Sequence, residues 1–150
     1  MENNRKQADF NFENFTQEAS ENLNELAEQL GNRNEKARTM IVWKAVMHSI
    51  REGIHMGESL DLISPLPLLL KGMYVQNWKY HEKPPLEFES MEEFKKAVEQ
   101  LQDQYREVQF NWNKSTEEII SICLHSLEKY LSKGQIQHIK GQMPKEVEVF

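Results

Sequence analysis

The apolar positions fall into helical registers along most of the chain. Phe15, Ala19, Leu23, Leu26 and Leu30 recur at steps of four, four, three and four, which predicts a helix from about 13 to 30 with one buried face. Gly31 suits a left-handed closure of that helix, and Asn34 a cap for the next. From 35 to 53 the apolar residues Ile41 to Trp43, Ala45 to Met47 and Ile50 spread over a wide arc, which predicts a central helix. "GESLDLIS" reads as a short helix stopped by Pro65, because the residue before a proline is pushed out of helical backbone. Pro67 then suits the first turn of another helix carrying "LLLKGMYVQNW".

After Trp78 the polar, proline-containing "KYHEKPPLEFE" reads as a linker. Ser90 and Glu93 have capping-box spacing before a helix carrying Phe94, Val98, Leu101, Tyr105, Val108 and Trp112. Ser115 and Glu118 repeat the device before a helix to about Leu131, with Ile120, Cys123, Leu124, Leu127 and Leu131 inward. No segment sustains period-two alternation, so the fold class is all-α.

Residues 46–73 also slide onto 123–150 without a gap, at an offset of 77. His48 falls on His125, Ser49 on Ser126, Gly57 on Gly134 and Pro67 on Pro144. The apolar period tracks as well, with Ile50 on Leu127, Ile54 on Leu131, Leu62 on Ile139, Leu66 on Met143, Leu70 on Val147 and Met73 on Phe150. The expectation is a helical bundle of two similar halves, 13–78 and 90–150, joined by a linker over 79–89 after a flexible N-terminus, 1–12. In each half the glycine ends the second long helix and the proline starts the last short one.

"VWKAVMHSIREGI", "LPLLLKGMYVQNW" and "SMEEFKKAVEQ" carry a resemblance to a known family. Leu66, Pro67, Leu68, Leu69, Lys71, Gly72, Tyr74 and Trp78 match a Leu-Pro-apolar-apolar-basic-Gly-x-Tyr-x-x-x-Trp pattern, and Gln142-Met143-Pro144 matches a later Gln-Leu-Pro segment. Over about 13–150 the chain resembles the bacterial domain-of-unknown-function family 2267. The resemblance implies a helical bundle of two similar halves in a prokaryotic cytoplasmic protein, and carries over no catalytic residue. Lys71 stands where the family more often has arginine, which keeps the charge and loses the bidentate fork.

Charge changes this picture little. The 150 residues carry a formal net charge of -6, spread evenly: eight basic and eleven acidic residues up to 78, ten and thirteen after it. That balance argues against nucleic acid as a partner, since such binding rests on phosphate neutralisation. The longest apolar run is broken at Pro65, Pro67, Lys71 and Gly72, short of a bilayer span, and "MENNRKQADFNFEN" lacks the apolar core of a secretory signal. With Cys123 the single cysteine, no intrachain disulfide forms. The expected setting is the cytoplasm, away from membranes.

No candidate chemistry assembles. His48 and His55 are seven apart and His125 and His138 thirteen apart, so neither pair has metal-ligand spacing; His48 and His125 read as packing positions that a pseudo-two-fold arrangement brings together only if the halves face each other that way. Cys123 lies on a core-facing stripe, where a thiol behaves as a small hydrophobe. Glu92-Glu93 and Glu117-Glu118 sit in first turns, where they complement the helix dipole. No catalytic residue, metal ligand or cofactor is expected. The expected role is non-enzymatic: protein contacts or a homodimer through a surface near Leu68, Tyr74 and Trp78. The alternative is a small-molecule or lipid site between the halves, and a DNA-binding helical protein ranks below both.

Overall fold

The computed structural model describes residues 12–79, 85–106 and 111–145. Seven α-helices and no strand occur among the described residues, as the periodicity predicts. They are α1 (Phe12–Gln29), α2 (Lys36–Gly53), α3 (Met56–Ile63), α4 (Leu68–Val75), α5 (Met91–Gln104), α6 (Thr116–Ser126) and α7 (Lys133–Lys140), with a 3-10 turn over Leu127–Lys129. Residues 1–11 of the N-terminus, Tyr80, Val108, Val147 and Phe150 lie outside the described residues.

The wide apolar arc of α2 puts it at the centre, packed against α1, α4, α5 and α6. Val42, Trp43, Ala45, Val46, Met47 and Ile50 on α2 are buried, and one core joins them to Leu26 of α1, Leu30 just after it, Phe94 and Val98 of α5 and Ile120, Cys123 and Leu124 of α6. Two side-chain links tie α1 to the segment after α6. Tyr130 donates to Asn22 Oδ1 at 3.1 Å, and Lys129 pairs with Glu25.

Helix ends follow local chemistry. Gly31 adopts φ 90 after α1. Its N–H donates to Glu28 O and that of Asn32 to Ala27 O, the two bonds of a Schellman closure. Ser90 and Ser115 accept from the backbone N–H of Glu93 and Glu118 at 3.2 and 3.1 Å. The Glu93 carboxylate accepts from Glu89 N instead of closing the reciprocal bond, and the complete capping box forms at Ser132 and Gln135, before α7.

Several boundaries correct the sequence reading. Glu35, and not Asn34, precedes α2, with no side-chain cap; Thr39 Oγ1 instead donates back to Glu35 O at 2.7 Å. Pro67 is the N-cap of α4, one position earlier than expected. Helix α5 stops at Gln104, because Arg106 takes φ 63 and its N–H turns back to Asp103 O. Trp112 is still buried, but off the helix. The expected helix to Leu131 ends at Ser126, whose Oγ donates to Cys123 O at 2.6 Å where the chain tightens into the 3-10 turn. Gly57 and Gly134 do not end the long helices. Each is the second residue of a short one, after N-caps at His55 and Ser132.

Candidate functional site

Helix α4 and the turn after it hold the predicted interaction residues, and α2 determines how they sit. Lys44, His48 and Arg51 lie at i, i+4 and i+7 on α2 and form a basic stripe. All three reach the carbonyl end of α4. His48 Nε2 donates to Met73 O at 2.8 Å, Arg51 Nη1 donates to Tyr74 O at 2.6 Å and Gln76 O at 3.0 Å, and Lys44 Nζ donates to Gln76 Oε1 at 3.0 Å. A helix C-terminus leaves carbonyls without intrahelical donors and carries a partial negative charge; Arg51 answers both, His48 answers a carbonyl through its N–H, and Lys44 adds positive charge nearby.

The carbonyl fixes the histidine tautomer. Since Met73 O only accepts, Nε2 carries the proton and neutral Nδ1 accepts from the Tyr105 hydroxyl, 2.7 Å away. Burial, with Arg51 and Lys44 nearby, lowers the His48 pKa from 6.5 to about 4, the bond to Met73 opposing only in part. Burial also lowers the pKa of Arg51, whose guanidinium lies 5.5 Å from the Trp78 ring centroid. Asn77, at φ 61, turns the chain so that Trp78 packs edge-on against Tyr74, 5.9 Å between centroids.

Tyr74 therefore cannot belong to a surface. It is 0% exposed, its hydroxyl shares a 2.7 Å hydrogen bond with Ser59 Oγ of α3, and burial pushes its pKa up to about 12. Trp78 is half-buried under Arg51. Leu68 is 52% exposed, joined by Leu69 and Val75 on α4 and by Met56 and Leu60 on α3. At Gly72 an added Cβ would meet nothing within 4 Å, so the outer face of α4 is open there to close approach.

His48 and His125 do not share an environment. His48 is buried between Tyr105 and Met73, whereas His125 is half-exposed and its Nδ1 meets Glu128 at 2.9 Å. His55 is exposed at the start of α3. Cys123 is fully buried, which raises its thiol pKa to about 12 and leaves it without nucleophilic character. Among the described residues no three His, Cys, Asp or Glu side chains converge as a metal site would require.

Sequence reasoning missed Tyr105 as the partner of His48 and Arg51 as the donor to Tyr74 O and Gln76 O. The signal for Arg51 was its place on the stripe with Lys44 and His48; Tyr105 comes from 57 residues away and leaves no local signal. No helix among the described residues is long and apolar enough to cross a membrane. No curated protein matches the chain. The family described as "Uncharacterized conserved protein (DUF2267)" matches residues 19–150, and the chain belongs to it.

Proposed function

We propose that this chain is a non-enzymatic helical module that works through protein contact, and that its partner at the α3–α4 face is a second copy of itself. The observation that carries this is the outer face of α4. Leu68, Leu69 and Val75 are exposed there while the helix behind them is locked by Arg51, His48 and Tyr74. A rigid apolar face displayed to water calls for cover. Lys71 is the one charged residue of α4, so a second copy brings little charge against the exposed leucines.

A duplicated architecture supports this reading of a scaffold without a reaction centre. Moved 77 residues along the chain, α3 falls on α7 end to end, and α2 falls on α6 with its 3-10 extension. The paired positions Ile50 and Leu127, Ile54 and Leu131, Leu62 and Ile139, and Leu66 and Met143 are all buried. The last short helix expected after Pro144 falls on residues 146–150, outside the described residues.

Sedimentation velocity across a concentration series tests the assignment. The wild type is expected to dimerise and Leu68→Glu, at an exposed position that leaves the core untouched, to remain monomeric. A wild type that stays monomeric at the highest concentration reached, or a Leu68→Glu dimer as tight as the wild type, overturns it.

A further inference from the structure

Away from the outer face of α4, the facing walls of α3 and α7 enclose a cleft of about 300 Å³ that self-association through that face does not use. Leu62 and Ile139 supply its apolar surface, Glu58 and Asp61 line it from α3, and Gly134, Gln135 and His138 line it from α7. These are matching positions: Glu58 and Gln135, Asp61 and His138, and Leu62 and Ile139 are each 77 apart, so the two short helices turn the same face inward.

The polar groups of the cleft are incompletely satisfied. His138 Nε2 donates to Glu58 Oε1 at 2.9 Å. Glu58 Oε2 is buried and has no hydrogen-bond donor among the described residues. A buried carboxylate oxygen without a donor is costly, so Glu58 gains by turning into the cleft toward a ligand that brings N–H groups. Two carboxylates and no Lys or Arg line it, which disfavours an anion. A neutral apolar ligand would cover Leu62 and Ile139 and leave Glu58 unanswered. A planar guanidinium on an aliphatic stem answers both, because its fork donates to two carboxylate oxygens while the stem lies along the apolar surface.

We propose that the cleft between α3 and α7 binds an alkylguanidinium group, either as a free compound or as an arginine side chain of a protein partner. Swinging Glu58 toward such a group exchanges the single bond from His138 for a bidentate pair, and Asp61 adds a second carboxylate at the mouth.

The test titrates n-butylguanidinium into the ¹⁵N-labelled full chain and follows the backbone amides of Gly134, Gln135 and His138. Saturable shifts confined to α3 and α7 are expected, with n-butanol producing none. Glu58→Gln should weaken binding about tenfold, the loss expected for one charge-assisted pair. Gly134→Leu should abolish binding by filling the cleft, where an added Cβ meets only Ser132 Oγ at 3.9 Å. If Glu58→Gln loses its dispersed spectrum, Asp61→Asn, at an exposed position, takes its place and should weaken binding about threefold. A capped Gly-Arg-Gly peptide that binds more tightly than n-butylguanidinium identifies a protein side chain as the source; one that binds more weakly identifies a free compound. Shifts that fail to saturate, equal shifts with n-butanol, or unchanged affinity in a folded carboxylate variant overturn the proposal. Leu68→Glu should bind n-butylguanidinium like the wild type, so failure of the dimer leaves this site standing.

Discussion

His48 and His125 occupy matching positions 77 apart and meet opposite fates. The difference lies in their neighbours on the same helical face. At the same offset, Lys44, His48 and Arg51 fall on Ser121, His125 and Glu128. The first set reaches the carbonyl end of α4, which draws His48 and Arg51 into the interior although burying a cation such as Arg51 is unfavourable by itself. In the second set the histidine stays half in solvent, paired with a glutamate one turn away on its own chain segment. Identity at a matching position thus says little about environment. What decides it is whether the element packed opposite offers carbonyls that need donors.

The most damaging way to break this contrast is to remove the donor that serves two carbonyls. Arg51→Ala strips Tyr74 O and Gln76 O of a charged donor and uncovers the Trp78 ring. The expected loss is about 3–5 kcal/mol of unfolding free energy by denaturant titration. Glu128→Ala, at the matching position, should cost less than about 0.5 kcal/mol, as for other exposed pairs. Equal losses from the two would mean that α4 is held by its apolar contacts alone.

Acid should test the burial of His48 next. The folded-state pKa of His48, about 4, lies below the unfolded value near 6.5. Between these values the unfolded chain binds the extra proton, so stability falls as pH drops through the window and the contribution is complete above 6.5. The full effect is about 3 kcal/mol, from 1.36 kcal/mol per pKa unit. Unfolding curves collected from pH 7 to pH 4 should show this slope in the wild type and lose it in His48→Phe. A slope that persists in His48→Phe would assign the acid sensitivity to other groups.

Much of the fold was legible because apolar periodicity and capping residues are local signals. Ala19, Leu23, Leu26 and Leu30, and Ile120, Cys123, Leu124, Leu127 and Leu131, are buried on the faces that their spacing predicts. The end of α5 was not legible. The steps through Tyr105, Val108 and Trp112 continue the helical register, and the break at Arg106 is a backbone event that no glycine or proline announces. At the candidate site, the exposure of Leu68 could be read from its place beside a proline in a polar chain. The burial of Tyr74 could not, because its hydroxyl is satisfied by Ser59 on another helix.

Glycine 53 sharpens the comparison at a smaller scale. A Cβ at Gly53 would lie 2.7 Å from Met143 Cε and 2.9 Å from the Phe88 ring, so α2 ends where residues from beyond α4 press on its backbone. The matching residue in the second half is Tyr130, whose hydroxyl instead reaches across to Asn22. Gly53→Ala is expected to cost about 1–3 kcal/mol through overpacking, with the methionine yielding more readily than the ring. A neutral result would mean that the Phe88 segment shifts without loss and is not held against α2.

The smallest effect concerns Gly57 and Gly134, which lie 77 apart. Gly57 and Gly134 are second residues of α3 and α7. An added Cβ would meet nothing within 4 Å at Gly57, and only Ser132 Oγ at 3.9 Å at Gly134. Neither has positive φ, in contrast to Gly31. Alanine at either position should therefore gain about 0.5 kcal/mol, because it restricts the unfolded chain and favours the helix without meeting a clash. Thermal unfolding of the two single variants and of the double variant tests this, with additive gains expected because the sites share no partner. A loss at either position would mean that the short helices pack more closely than their open faces indicate. Gains at both would mean that neither half requires these glycines for its backbone, leaving openness of the surface, at the cleft in the case of Gly134, as the property that alanine would diminish.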